Sequence, residues 1–427
     1  MNQDKSTGAI VVVGAGQAGV QLATALREGG FGGRLVLLGE EPSTPYQRPP
    51  LSKSFLLGKL PVESIQLRPP EFYRERDIAF RPGHRVRSLD RTQRRVELVS
   101  GEAISYDHLV LATGARNRAL ELDGSELDGV VQLRSLEDAQ HIRSLLGDVR
   151  RAIVVGAGFI GLEFAAVAAT LNIETHIFEV AARPLARVTS EPTSSSIARA
   201  HQAWGNRLHV HSKLQRIVGE RGRVVGVVTN TGEHIAADLV LVGIGVRPND
   251  ELAHAAGLGV DDGVLVDDQL HTMDPAISAI GDCARFASER GFRMRIESVQ
   301  NASDQARTLA STLLGKSSVY RAVPWFWSDQ QDIKLQLAGL SAGYDQTVVL
   351  GETVSRRFSV CCFRERELIA VESVNQPLEH MLARKLLARK CALTPEEAAG
   401  EGFDLKTYEL ATRPNARSAT RVLPYRD

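Results

Sequence analysis

A chain of 427 residues holds roughly three domains at about 150 residues each, and its 43% hydrophobic content is enough to give each one a core. With 51 Lys and Arg against 51 Asp and Glu, it has no whole-molecule field for gripping nucleic acid or an anionic membrane, so a charged partner must meet a local patch. No apolar run approaches the roughly 18 residues of a membrane span, residues 1–8 lack the basic-then-apolar order of a signal peptide, and the cytoplasm is the expected location. Cys283, Cys361, Cys362 and Cys391 are too sparse for a disulfide framework and too scattered for a zinc site.

The chain opens on a βαβ unit. Residues 10–13 (IVVV) form a short buried strand, 14–19 (GAGQAG) a tight turn, 20–27 a helix and 34–38 a second strand. The unit recurs: residues 152–155 lead into 156–161 (GAGFIG), a helix over 162–169 and a strand over 175–178. Apolar runs ending in glycine at 109–114, 239–245 and 277–282 suit a buried parallel sheet. Beyond residue 320 the pattern alternates, which predicts an α+β domain. Its strands include 334–338, 347–350, 357–363 and 367–371, with a helix over 378–390 and a loosely held polar tail from Arg413.

In a G-x-G-x-x-G turn the first glycine permits the bend, the second admits a pyrophosphate to the backbone amides, and the third lets helix pack on strand. Gly14, Gly16 and Gly19 make one copy; Gly156, Gly158 and Gly161 make the other. Each is followed about twenty positions later by an acid, Glu40 or Glu179, at the spacing of a ribose-binding carboxylate. Glu40 and Glu41 also read as solvated loop residues before Pro42. Two dinucleotide sites imply one nucleotide that stays and one that exchanges, and a flavin with a nicotinamide meets that need. Gly281 and Asp282, at a later strand end, would serve the flavin's ribityl chain or pyrophosphate, or would only close a turn.

The sequence resembles the flavin-dependent pyridine-nucleotide reductases of the glutathione-reductase fold, and within them the ferredoxin reductases that feed bacterial monooxygenases and ring-hydroxylating dioxygenases. The likeness covers nearly the whole chain. It rests on residues 14–19, 45–53 (PYQRPPLSK), 112–114 (ATG), 156–163, 281–286 (GDCARF), 296–302 (IESVQNA) and 324–330 (PWFWSDQ). It implies an α/β protein with two Rossmann-like dinucleotide-binding domains and a C-terminal α+β domain. The FAD-binding domain would be split over 1–117 and 248–320 by an inserted NAD-binding domain at 118–247, with the α+β domain over 321–427.

The resemblance further implies that Ala18, Glu40, Lys53, Val86, Arg134, Asp282 and Val299 line the FAD site, with Ala112, Thr113 and Gly114 among its motifs. Gly158, Phe159, Ile160, Glu163, Glu179, Arg187, Gly245 and Glu297 would lie along the NAD site. Gln300 departs from the pattern, standing where the putidaredoxin-reductase type has proline, which puts loop rigidity in doubt. Lys53 would stabilise an anionic reduced ring, or be a surface lysine. Glu163 would pair with a cation such as Lys53, or serve only as a favourable charge in the first helical turn. Phe159 would cover the flavin or simply pack; Trp327 would meet the isoalloxazine ring or sit in a core.

Disulfide reductases of this fold pass electrons to two cysteines separated by a few residues, and no such pair exists here. Cys361 and Cys362 are adjacent on an expected strand and point to opposite faces. Cys283 reads as a small buried residue. Electrons therefore leave the flavin directly, and the resemblance implies an NADH-dependent reductase that passes single electrons to a [2Fe-2S] ferredoxin. Rubredoxin reduction, or another acceptor such as a quinone-like molecule or oxygen, is the rival reading; a signalling protein of apoptosis-inducing-factor type that binds FAD and NADH is a remoter one. Arg285, Arg293, Arg295 and Arg307 bracket the flavin segments as candidates for docking an acidic partner, Arg307 foremost.

Overall fold

The computed structural model describes residues 8–288 and 291–413. Ile10–Val13 is wholly buried, as a strand covered on both faces must be, and pairs in parallel with Leu35–Leu38 on one side and His108–Leu111 on the other. Ile277–Ala279 and Ala79–Arg81 complete this first five-stranded parallel sheet. Arg151–Val155 is the centre of a second, built alike: Glu174–Phe178 and Leu239–Val242 flank it, with Arg207–His209 and Val130–Val131 at the edges. Ala115–Asn117 and Val246–Pro248, where the chain passes between the two sheets, pair antiparallel.

The third sheet is antiparallel, ordered Trp325–Gln330, Ile333–Gly339, Glu367–Val374, Arg357–Arg364, Gln346–Glu352. Its alternation buries both faces against different partners. Phe358, Val360 and Cys362 join the core that contains Leu162, Phe164 and Ile197 of the second unit, whereas Cys361 and Phe363 pack with Leu382 and Leu386 of the helix Pro377–Ala388. The two adjacent cysteines thus face opposite ways, and neither can form a dithiol with the other.

The glycine helices run Gln17–Glu28 and Phe159–Thr170, starting three residues earlier than the hydrophobic pattern implies, because glycine and small residues carry no periodic signal there. Two antiparallel ribbons were not legible in the sequence: Val86–Asp90, Arg95–Leu98 and Ala103–Ser105, and Leu214–Glu220, Arg223–Thr229 and His234–Ala236. At the C-terminus a helix, Leu405–Ala411, precedes the expected loose tail; Arg413 itself pairs with Glu409 at 2.8 Å, and residues 414–427 lie outside the described residues. Among the described residues no helix is long and apolar enough to cross a membrane.

Candidate active site

Both glycine turns open onto one cleft of about 2300 Å³ that runs between the first and second sheets to the strand Trp325–Gln330. The three glycines of each turn divide the labour as their chemistry requires. A Cβ on Gly19 would lie 1.9 Å from the Gly14 carbonyl oxygen, and one on Gly161 2.2 Å from that of Gly156, so helix and strand meet only because both are glycine. Neither lines the cleft. A Cβ on Gly16 would instead meet nothing within 4 Å, and one on Gly158 only the Gly243 oxygen at 3.9 Å. Both point into the open volume, at helix N-termini whose amides favour an anion. Gly14 and Gly156 have φ of 114° and 99°, which makes the bend.

The loop carrying Lys53 is tied down by a polar knot. Tyr46 donates its hydroxyl to Glu41 (2.5 Å) and accepts the Leu136 N–H (2.8 Å), while Arg48 donates to Glu41 (2.6 Å) and to the Arg134 carbonyl (2.5 Å). Prolines 49 and 50 then start a short 3-10 turn that ends at Lys53. Lys53 Nζ donates to the Pro49 carbonyl at 3.1 Å and reaches Glu163 Oε2 at 2.6 Å. Glu163 is 2% exposed and also accepts from the hydroxyls of Ser52 and Ser328. Burial pushes its carboxyl up from the ordinary range, against the pull of Lys53 and the two hydroxyls. The two residues therefore form one ion pair with Glu163 buried and Lys53 half-buried at the cleft, and Lys53 is no free surface lysine.

Every other expected site residue lines the cleft: Ala18, Glu40, Val86, Ala112, Thr113, Gly114, Arg134, Phe159, Ile160, Glu179, Arg187, Gly245, Gly281, Asp282, Glu297, Val299 and Trp327. Their settings differ. Arg134 donates to Asp282 at 3.0 Å, and its buried Nε has no hydrogen-bond partner among the described residues. Gly281 donates its N–H to Gln305 Oε1 at 2.7 Å, a support that no motif announces. Glu179 accepts the N–H groups of Ala157 and Ala181, each at 2.8 Å, which seats its carboxylate beside the second glycine turn. Glu40 stands at the mouth, exposed and 3.4 Å from Arg85, whereas Glu41 is committed to the Tyr46–Arg48 knot. Phe159 lies against Phe326, ring centroids 4.3 Å apart, so it packs and lines the cleft at once. Gln300 replaces the expected rigidity with a bridge: its Oε1 accepts the Trp325 N–H at 3.1 Å and its amide donates to Asp304 at 2.5 Å.

Two of the basic residues read as docking candidates are used internally. Arg295 bonds Glu297 and the Asp262 carbonyl, and Arg285 the Asp261 carbonyl. Arg307 is exposed on the helix Val299–Leu313 and pairs with Asp304 at 2.9 Å.

Residues 8–306 match the family model described as pyridine nucleotide-disulphide oxidoreductase, and residues 325–409 that described as reductase C-terminal. The chain belongs to the pyridine nucleotide-disulphide oxidoreductase family. Over 398 residues it is 48% identical to rhodocoxin reductase of Rhodococcus erythropolis, covering 93% of each chain. It is similar to the crystal structure of a ferredoxin reductase from Rhodopseudomonas palustris (TM-score 0.92, 46% identity, 94% of this chain and 99% of that one). It is equally close in fold to a chain of the covalent putidaredoxin reductase–putidaredoxin complex (TM-score 0.92, 39% identity, 95% and 98%).

A member of this family calls for FAD and NAD(H), and the cleft fits both. Two cradles whose middle glycines face open space, a carboxylate seated beside the second, and an unpartnered buried guanidinium nitrogen on Arg134 are what two pyrophosphate-bearing nucleotides need. Among the described residues no cysteine lines the cleft. Cys283 is buried with its thiol against the carbonyl oxygens of Ile280 and Leu111, and burial raises it further from thiolate.

Proposed function

We propose that this protein is an FAD-dependent NADH:ferredoxin oxidoreductase serving an oxygenase, with a [2Fe-2S] ferredoxin as its transient partner and the cytoplasm as its place of work. The observation that carries the reading is the Lys53–Glu163 ion pair, set between two nucleotide cradles in a cleft without a cysteine. When bound, FAD would supply a two-electron acceptor for the NADH hydride that can hand on single electrons to two successive partner clusters.

The protein's own contribution is placement and charge. The amides following Gly14 and Gly16 would hold the FAD pyrophosphate, with Arg134, Asp282 and Val299 along the rest of that cofactor and Glu40 at its ribose. The second turn, Glu179 and Arg187 would hold NADH, whose ring would enter past Phe159 and Ile160. Lys53 would keep a positive charge beside the flavin, Glu163 would hold that ammonium in place, and Trp327 would close the flavin from the C-terminal unit. We divide the chain accordingly into an FAD-binding part (1–117 and 248–320), an NAD-binding part (118–247) and a C-terminal α+β part (321–427); the grouping of strands into three five-stranded sheets, each within one part, supports this division.

Stopped-flow spectroscopy tests the function. NADH should bleach the flavin quickly, air should reoxidise it slowly, and a ferredoxin should do so fast. Faster reoxidation by a rubredoxin or a quinone than by ferredoxins would favour the rival acceptor, and absence of NADH bleaching would overturn the reading.

A further inference from the structure

A line of buried side chains leads from the Lys53–Glu163 pair away from the cleft. Ser328 Oγ lies 2.6 Å from Glu163 Oε1, and Gln330 Nε2 3.0 Å from Ser328 Oγ. His201 Nε2 lies 2.9 Å from Gln330 Oε1, and Asn206 Nδ2 3.0 Å from His201 Nδ1. Ser328, Gln330 and His201 have no exposure, and Asn206 only 3%. The line crosses from the helix Phe159–Thr170 to the strand Trp325–Gln330 and back to the helix Glu191–Ala203. Nothing in the two glycine motifs needs it.

Its polarity is set from the far end. The Asn206 amide also faces the Ala165 carbonyl oxygen at 3.3 Å, which can only accept, so its NH2 group points toward both neighbours and His201 Nδ1 accepts. The imidazole then carries its single proton on Nε2, in keeping with burial that moves it down to about 4. That N–H donates to Gln330, Gln330 donates to Ser328, and Ser328 is left with its hydroxyl hydrogen for Glu163. With Ser52 and Lys53 on the other carboxylate oxygen, Glu163 meets only donors. Buried networks with every member satisfied hold one arrangement, because breaking any link leaves a desolvated polar group.

We propose that His201 is a positioning residue for the redox site: acting through Gln330 and Ser328, it holds Glu163 as an acceptor against Lys53 and so sets the charge presented to the flavin. The inference rests on the FAD reading above. Without His201, Gln330 and Ser328 lose their imposed direction and Glu163 loses a donor. The carboxyl then takes a proton more readily, and Lys53 is left as uncompensated positive charge, which favours the reduced flavin.

The test is the midpoint potential of the bound flavin, read by dye-coupled reductive titration. His201→Leu should favour reduced flavin about tenfold, which is ~30 mV for a two-electron couple. His201→Gln, which can both accept from Asn206 and donate to Gln330, should restore the wild-type value. In a Glu163→Gln background His201→Leu should add nothing, since its effect passes through that carboxylate. Gln330→Met, an interruption from another strand, should shift the potential in the same direction and serves where His201→Leu does not fold. A folded, flavin-loaded His201→Leu or Gln330→Met with wild-type potential overturns the proposal, as does an equal shift in the Glu163→Gln background. A wild-type protein that takes up no FAD removes the functional reading as well; a yellow, NADH-reducible wild type with unmoved variants removes this inference alone.

Discussion

Lys53 Nζ and Glu163 Oε2 stand 2.6 Å apart although the residues come from different units of the chain, one from a proline-rich loop and one from the helix after the second glycine turn. Removing Lys53 leaves the Glu163 carboxylate buried and uncompensated. Lys53→Met should therefore slow flavin bleaching by NADH and lower thermal stability by roughly 3–5 kcal/mol, whereas Lys53→Arg should keep most of the stability. Unchanged bleaching in a folded Lys53→Met would remove the lysine from the reaction.

The two kinds of glycine separate by experiment. Gly16→Val places atoms in open cleft and should leave the apoprotein folded while abolishing FAD retention. Gly158→Val should leave FAD bound and raise the KM for NADH. Gly19→Ala drives a Cβ into the Gly14 carbonyl and should fail to give soluble protein. Retention of FAD by Gly16→Val would show that the pyrophosphate lies elsewhere.

NADH should be preferred over NADPH. Glu179 is seated by two amides, and Arg183, which lies close in sequence, is occupied with the carbonyl oxygens of Ala186 and Thr189. Glu179→Ala should relax the preference by about 1–3 kcal/mol, the scale of a hydrogen bond to a charged group. Equal kcat/KM for the two coenzymes in the wild type would contradict the assignment.

His201 gives a pH dependence with a definite sign. Its folded value of about 4 lies below the ordinary 6.5, so between those limits the unfolded chain binds a proton that the folded one refuses. Its contribution to stability is complete above pH 6.5 and is lost as pH falls toward 4, about 3 kcal/mol at the low end. The Tm of His201→Gln, which has no titration there, should gain on the wild type as pH is lowered from 7 to 4.5. A constant difference would mean that His201 takes up its proton as readily in the fold as in the unfolded chain.

Docking is tested at Arg307, which is exposed and makes a weak surface pair with Asp304. Arg307→Glu should raise the ferredoxin KM and leave bleaching by NADH unchanged. Ferredoxin reduction should slow as salt rises, because the Debye length falls from about 10 Å at 0.1 M to about 3 Å at 1 M; ferricyanide reduction should fall much less. Wild-type ferredoxin kinetics in the variant at low salt would move the patch to another face.

What the sequence by itself determined is whatever depends on near neighbours. The glycine spacings, the buried strands before them and the acids after them each lie within one βαβ unit, so both cradles were readable before any packing was known. The same holds for Cys361 and Cys362, whose opposite facing follows from strand alternation alone. Pairings across the chain were decided only by the tertiary structure. The family motifs singled out Lys53 and Glu163, but Ser328, Gln330 and His201 become one line only when the third sheet lies against the second unit. Arg285, Arg295 and Arg307 look alike in sequence; folding ties the first two to Asp261, Asp262 and Glu297 and leaves the third in solvent. A side chain's charge is written in the sequence, but its partner depends on which faces meet, and that is settled by burying apolar surface over the whole chain.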